Sequence, residues 1–565
     1  LSLILKEIIL QNNINIQRGG IMNLQTSGVE KNSEVVREIP VSGKEMTVCT
    51  NPATGEVIAK YPINTVEDVI TAVKNARRIQ PAWQALPLKN KIRYVMKFAE
   101  YIQKNSAKIT EIISQDNGKT PCDAMVAEVA PAALATAYYC KNAARFLADR
   151  KIKAGNIMLM NKRSSIARTP FGVVGIISPW NYPFAIPFSE VVMGLLAGNA
   201  IILKTASETQ VVGHVLKECI EYAGLPENVF TYINIPGSKA GDAFIDAGVD
   251  KLFFTGSVPV GKYLMKKASE KLIPVVLELG GNDAMIVCDD ADLYRAACGA
   301  VWAGMQNAGQ SCGGVERIYV DKKIYREFLA ILKERVEGLR VGEGKCPTTD
   351  IGAMTTRKQM KTVQEHIDDA LAKGAKIFAQ SKVPGNSKGN FMPCMVLTDV
   401  NHTMLTMKDE TFGPIVGVMP FETIDEAIAL ANDSNLGLTG SVWSKDRGKA
   451  RRIGRRIMAG AISINDHLMT HGLAETPWGG FKESGIGRTH GDIGFAEMTQ
   501  PQVIVDDIMS TMPLVRRNFW WHPFEKIQYE GMKGLIDAFN GKGLGERLAG
   551  LIKVTSAFFG SFMKK

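Results

Sequence analysis

Val173-Val174-Gly175-Ile176-Ile177, Ala200-Ile201-Ile202-Leu203-Lys204, Phe230-Thr231-Tyr232-Ile233, Lys251-Leu252-Phe253-Phe254 and Val275-Val276-Leu277-Glu278-Leu279 are short, β-rich apolar runs. Helical spacing fills the intervals, with helices expected to end near Leu196, Tyr222 and Lys271. Strands separated by single helices imply right-handed crossovers and a parallel sheet, a layout of nucleotide-binding type. Downstream, 284–442 is a second α/β stretch with strands such as 317–320 and 415–419. Upstream, 66–150 is helical, and Asn51-Pro52-Ala53-Thr54-Gly55-Glu56 reads as a turn between strands. Segments 151–168 and 502–507 look like β structure outside both cores, available to pair with another subunit.

A chain of 565 residues exceeds one compact core, so two or three domains are expected. With 45% hydrophobic and 22% charged residues it is an ordinary globular composition. Residues 169–189 carry no charge and are long enough to span a bilayer. Pro170, Pro179, Pro183 and Pro187 break that span, which reads instead as a strand, a loop and a helix start. Nine cysteines without a C-x-x-C pair or clustered Cys/His spacing argue against a zinc site or disulfide framework and for a reducing compartment. No metal is expected.

Glu278 ends an apolar strand and is followed by Leu279, Gly280 and Gly281, where a ligand can approach the backbone closely. Thirty-four residues on (312 − 278), Asn307-Ala308-Gly309-Gln310-Ser311-Cys312-Gly313-Gly314 presents a thiol among small residues. A thiol nucleophile needs an exposed, deprotonatable sulfur and room for a substrate. Taken singly, a cysteine is more often a packing residue and a strand-end glutamate a solvated edge. Four further motifs accompany them in order: Ser178-Pro179-Trp180-Asn181-Tyr182-Pro183, Phe254-Thr255-Gly256-Ser257, Glu410-Thr411-Phe412-Gly413-Pro414 and Pro477-Trp478-Gly479-Gly480-Phe481-Lys482-Glu483-Ser484-Gly485.

Together these motifs resemble the aldehyde dehydrogenase superfamily from about Asn51 to Asp507. The resemblance implies an α/β fold with a Rossmann-like cofactor domain (40–150 and 170–277), an α/β catalytic domain (278–480) and small β oligomerisation segments (151–169 and 481–507). It implies that Cys312 attacks an aldehyde carbonyl, that the Asn181 amide and the Cys312 N–H hold the oxyanion, and that Glu278 activates the water that hydrolyses the thioester. Relatives that pass the acyl group to coenzyme A usually lack this base, so Glu278 points to a free acid. The cofactor residues implied are Ser178, Trp180, Gly256, Ser257, Gly261, Leu279 and Gly280, with Lys204 on the adenine ribose, Glu410 on the nicotinamide ribose and Phe412 against the nicotinamide. Ser257, between strand and helix, offers the pyrophosphate a helix N-terminus.

Where many relatives carry a glutamate that repels a 2′-phosphate, this chain has Ser207. The expected cofactor is therefore NAD or NADP, with Glu208 one residue later able to compensate. Ser189 stands where some relatives carry a bulky aromatic, which predicts a wider substrate passage, and Glu190 stands where lysine is common. No arginine can be assigned to a substrate carboxylate. The expected function is oxidation of a lipophilic or broadly chosen aldehyde by a homodimer or homotetramer. A semialdehyde or non-phosphorylating glyceraldehyde-phosphate dehydrogenase is the same-fold alternative, and a catalytically silent binding relative the alternative from another class.

Both ends lie beyond the resemblance. Arg18-Gly19-Gly20 before Met22 is what a translated ribosome-binding sequence would encode, so 1–39 reads as leader or disordered chain with the start at Met22. The rival targeting peptide lacks a basic n-region and a cleavage site. From Arg516 onward nine basic face four acidic side chains, +5 (9 − 4), half of the chain's net +10. Met532, Leu535, Ile536 and Phe539, and then Leu548, Leu551, Ile552, Phe558, Phe559 and Phe562, follow helical spacing, with Gly541, Gly543 and Gly545 breaking the two runs. An amphipathic helical tail (508–565) is expected, packed on the catalytic domain or a partner subunit, or lying on a membrane surface through 516–565. No nucleic-acid motif accompanies the charge. The expected location is the cytoplasm, with the membrane reading placing the protein on the inner membrane face.

Overall fold

In the computed structural model the five runs form one sheet, extended by a sixth strand from far along the chain. Residues 45–155, 159, 161–344, 348–385, 388–511 and 521–563 are described; Met22 and the leader lie outside them. The strand order is Gly485–Ile486, Val275–Glu278, Lys251–Thr255, Val173–Ile177, Ala200–Lys204, Phe230–Tyr232. All neighbours are parallel except Gly485–Ile486, which runs antiparallel to Val275–Glu278. From Val173–Ile177 the chain builds outward through Ala200–Lys204 to Phe230–Tyr232, then returns to the other side through Lys251–Thr255. That reversal leaves a crevice at the carboxyl ends of Val173–Ile177 and Lys251–Thr255, where open parallel sheets bind ligands.

A seven-stranded sheet runs Lys376–Gln380, Met395–Thr398, Ile415–Phe421, Val315–Asp321, Asp283–Val287, Thr439–Trp443, Ala461–Ile464, with only the first strand antiparallel to its neighbour. The turn at Asn51 joins the antiparallel pair Met46–Thr50 and Val57–Pro62. The helical region comprises Val66–Ala85, Leu88–Asn117, Pro121–Ala124, the π-helical turn Met125–Val129 and Ala130–Phe146. Thr65 starts the first with a capping box, its hydroxyl accepting from Asp68 N (3.1 Å) while Asp68 accepts from Thr65 N (2.9 Å). Pro81 lies inside this helix. Helix Ala185–Ala197 is buried on every side, which accounts for the uncharged stretch before it and makes its Glu190 conspicuous.

Thr499–Asp507, Lys162–Pro170 and Arg150–Ile152 form a separate antiparallel sheet, with Val503 opposite Ile166 and Lys151 opposite Ser165. The expected segment 481–507 divides among three sheets. Phe481–Lys482 pairs with Leu436–Gly437 and Gly485–Ile486 with the six-stranded sheet, so only Thr499–Asp507 belongs to the outlying β structure.

The tail contains helices Lys526–Asn540 and Leu544–Met563, which pack chiefly on each other. Gly545 falls inside the second helix rather than breaking it. Gly550 permits the close crossing: a Cβ there would sit 2.4 Å from Ala538 N and 2.5 Å from Gly534 O. Among the described residues no helix is long and apolar enough to cross a membrane. Seven described cysteines are free thiols, and Cys122 is disulfide-bonded.

Candidate active site

Cys312 lies just past the 3-10 turn Gln306–Gly309, half-buried. Asn307 (φ 54°), Ala308 (φ 53°) and Gly309 (φ 70°) are all left-handed, a costly run for two residues bearing a Cβ. Side-chain and backbone bonds hold it. Asp123 accepts from Asn307 N (3.2 Å), Gln310 Nε2 donates to Asn307 O (2.9 Å), and Gln310 Oε1 accepts from Thr355 N (2.9 Å). Beyond Cys312, the Gly313 carbonyl meets His467 Nε2 at 3.1 Å, and His467 is packed on Thr439 Oγ1 at the same distance. Burial holds the Cys312 thiol well above its usual range, and the Glu410, Asp283 and Glu278 carboxylates push it the same way.

Asn181 is buried on the loop leaving Val173–Ile177. Its Nδ2 donates one hydrogen to Gln310 O (3.2 Å), leaving the second for another acceptor. Its backbone carbonyl is fixed by Lys119 Nζ (2.7 Å) and Asn307 Nδ2 (2.9 Å). Lys119 in turn pairs with Glu128 at 2.6 Å, both side chains fully buried, and Glu128 accepts from Phe184 N (2.7 Å) and Ala185 N (3.2 Å) at the start of helix Ala185–Ala197. Neither residue was singled out from sequence. The available signal was a charge, Glu128, within an apolar stretch.

Glu278 is 5% exposed and neither carboxylate oxygen has a protein partner among the described residues. Burial raises its pKa well above the carboxylate range; Glu190 and Glu497 add to the shift and Arg488 opposes it.

Cys312 borders three spaces. The first is a groove of about 1120 Å³ that also touches Asn181, Glu278, Trp180, Gly256, Ser257, Leu279, Gly280, Glu410 and Phe412. Ser257 is the N-cap of helix Val258–Ser269, and its hydroxyl makes no capping bond. Glu410 accepts from Gly281 N (2.9 Å), and a Cβ on Gly280 would lie 2.5 Å from Glu410 Oε2, so any larger residue there would displace the carboxylate. Burial raises the Glu410 pKa to about 7. Phe412, itself left-handed (φ 53°), meets the Trp180 ring edge-on at 5.4 Å. Both Thr411 N (2.9 Å) and Phe412 N (2.7 Å) donate to buried Glu316, a further residue not foreseen. Lys358 and Gln359, also unforeseen, enter from helix Arg357–Ala372.

Four expected cofactor residues do not line this groove. Gly261 lets Leu279 pack against its helix, since a Cβ would stand 2.6 Å from Leu279 Cδ2. Ser178 is buried with an unpartnered hydroxyl. Lys204 is buried at its strand end, its pKa lowered to about 8 by desolvation. Ser207 begins the 3-10 turn Ser207–Thr209, and Glu208, exposed beside it, lines the groove in its place. The groove suits a dinucleotide on its own chemistry: a helix N-terminus and Lys358 for phosphate, a carboxylate for ribose, aromatic walls, and a glycine cradle.

The second space is a tunnel of about 880 Å³ whose walls include Val126, Ala130, Leu134, Ile186, Trp302 and Trp478. Among the described residues no arginine, lysine or carboxylate lines it. His471 does, and burial lowers its pKa to about 4, so it is neutral near pH 7. Ser189, expected to widen the passage, is buried elsewhere on its helix, and Ile186, three residues earlier, faces the tunnel instead. The third space is smaller and contains Glu190.

The thiol thus lies between a groove suited to a dinucleotide and an apolar tunnel, with a buried carboxylate beside it. A profile of the aldehyde dehydrogenase family matches residues 40–504. The chain belongs to that family and is an NAD(P)-dependent oxidoreductase acting on aldehydes. It is 36% identical over 492 residues to the 4,4'-diapolycopene aldehyde oxidase of a Methylomonas species, covering 87% of this chain and 91% of that one. It is 35% identical over 452 residues to a protein of Mycolicibacterium smegmatis described as an NADP(+) succinate-semialdehyde dehydrogenase, covering 80% and 87%. Among solved structures it resembles betaine aldehyde dehydrogenase from Staphylococcus aureus in complex with NAD+, with TM-score 0.79, 31% identity and coverage of 86% of this chain and 95% of that one.

Proposed function

We propose that the chain oxidises a long, apolar aldehyde to the free carboxylic acid. The observation that carries this reading is the tunnel to Cys312, walled by apolar side chains and without a cation. A semialdehyde bears a carboxylate that would lose its hydration there without a partner, a cost of several kcal/mol. The Methylomonas relative, named for an apolar aldehyde, supports the same direction.

In this mechanism Cys312 loses its thiol proton to water in the groove as Sγ bonds to the carbonyl carbon, and the second Nδ2 hydrogen of Asn181 and the Cys312 N–H hold the oxygen, each such donor contributing about 3–4 kcal/mol. When bound, the nicotinamide supplies the hydride acceptor and a positive charge beside the sulfur. Glu278 then takes a proton from the water that attacks the thioester, and the C–Sγ bond breaks. Glu410 would accept from the nicotinamide ribose, Phe412 and Trp180 would bound the ring, and the helix that Ser257 N-caps would receive the pyrophosphate. Lys204 would serve the adenine ribose.

Residues 45–150 and 170–277 form the cofactor domain in this reading and 278–480 most of the catalytic one. The outlying sheet carries exposed Val503, Ile504 and Val505, which suits pairing within a homodimer or tetramer. The tail hairpin exposes Ile536, Phe539, Leu544, Leu548 and Ile552 beside Lys533, Lys542, Arg547 and Lys553. Apolar and basic side chains together suit an anionic membrane surface such as the inner face of the cytoplasmic membrane, where lipophilic aldehydes partition.

The test is a series of straight-chain aldehydes with succinate semialdehyde alongside. At about 0.8 kcal/mol per buried methylene, kcat/KM should rise roughly three- to fourfold per carbon until the tunnel is full. A flat series, or a preference for the semialdehyde, would refute the reading.

A further inference from the structure

The third space beside Cys312 gathers polar atoms that protein alone does not satisfy. Glu190 and Glu278 both line it, with Thr255, His471 and His490. Glu190 Oε2, both Glu278 oxygens, Thr255 Oγ1 and His490 Nδ1 are buried without a protein partner among the described residues. Five such atoms around one space are what a cavity holding ordered water presents. Glu278 borders this cavity and the cofactor groove, whereas Glu190 borders the cavity alone.

We propose that Glu190 and Glu278 work as one carboxyl pair joined by water in this cavity, and that Glu190 receives the proton Glu278 removes from the hydrolytic water. The inference rests on Glu278 being the base of the proposed reaction. In that step the water oxygen bonds to the acyl carbon, the C–Sγ bond breaks, and Cys312 leaves as thiolate. The proton passes from water to Glu278, then through cavity water to Glu190, away from the groove, and finally to solvent. Glu190 is a positioning residue, acting through Glu278 without touching substrate.

The surroundings favour a shared proton. Glu190 comes from helix Ala185–Ala197, His471 from the 3-10 turn Met469–Gly472, and His490 from the N-cap of helix Gly491–Glu497. Both histidines are held neutral by burial. Cys312 faces the cavity as a protonated thiol, Glu497 adds negative charge, and Arg488 is the cation acting on Glu278. Two desolvated carboxylates against one cation do not both ionise. Burial raises the Glu190 pKa to about 8, so the pair holds one shared proton below that pH, and Glu190 takes the proton from Glu278 once the coupled pair is fully ionised above it.

The experiment is the pH dependence of thioester hydrolysis in wild type, Glu190→Gln, Glu190→Asp and Glu278→Gln, with the burst of reduced cofactor recorded for each. Removing the ionisable neighbour lowers the Glu278 pKa, so the acid limb of Glu190→Gln should move down by about one unit while the burst persists. Glu190→Asp should restore the wild-type limb, which a packing role would not require. If Glu190→Gln gives no burst, Glu190→Met, similar in size and uncharged, is read the same way. A limb that coincides with wild type overturns the pair while leaving Glu278 as base. Wild-type turnover by Glu278→Gln overturns the base itself.

Discussion

Replacing Lys119 with methionine removes the buried cation that links the helical region to the Asn181 loop. The ammonium lies 2.6 Å from Glu128 Oε1 and 2.7 Å from Asn181 O, with both charged side chains fully buried. Removing one member of a buried pair typically costs about 3–5 kcal/mol, because the other charge is left without a partner. Here the lower end, about 3 kcal/mol, applies. Glu128 keeps its bonds from Phe184 N and Ala185 N, and Asn181 O keeps Asn307 Nδ2. Urea unfolding at fixed protein concentration measures the loss, and Lys119→Met/Glu128→Leu should recover most of it, since a well-packed apolar pair replaces an ionic one at little cost. The Asn181 amide also loses part of its orientation. We expect kcat to fall roughly ten- to a hundredfold with KM for aldehyde little changed. A single variant within about 1 kcal/mol of wild type, or a double variant no better than the single, would refute the reasoning.

Two further outcomes follow from the groove and the tail. Glu208→Gln removes the carboxylate that lines the groove beside Ser207 and should raise the NADP/NAD ratio of kcat/KM severalfold; an unchanged ratio would show that neither position selects the cofactor. A chain ending at Asp507 should lose flotation with anionic liposomes while keeping its activity on a short, soluble aldehyde, and equal flotation would remove the tail from any membrane role.

The parallel pairing of the five strands from Val173 to Glu278 was legible because alternating apolar runs and helices admit few topologies, and the Cys312 and Glu278 motifs because they are local. The unforeseen groups act across long sequence separations on single backbone atoms: Lys119 on the Asn181 carbonyl, Glu316 on Thr411 and Phe412 N–H. No local pattern encodes which carbonyl or amide a buried charge will reach. Two misplacements were rotational. Ile186 rather than Ser189 faces the tunnel because the start of a wholly buried helix offers no amphipathic face to orient it. Glu208 rather than Ser207 meets the groove because the short 3-10 turn sets the direction of each side chain. Helical spacing found both tail helices, but it could not show that they would pack chiefly on each other and leave an apolar face exposed.

The central claim is covalent oxidation at Cys312 followed by hydrolysis through Glu278, and rapid mixing of enzyme, cofactor and a long-chain aldehyde tests it most directly. Wild type should turn over steadily, Cys312→Ala should form no reduced cofactor, and Glu278→Gln should give one stoichiometric burst followed by turnover slowed about a hundredfold or more. A burst from Cys312→Ala, or no burst and no slowing in Glu278→Gln, would contradict the account.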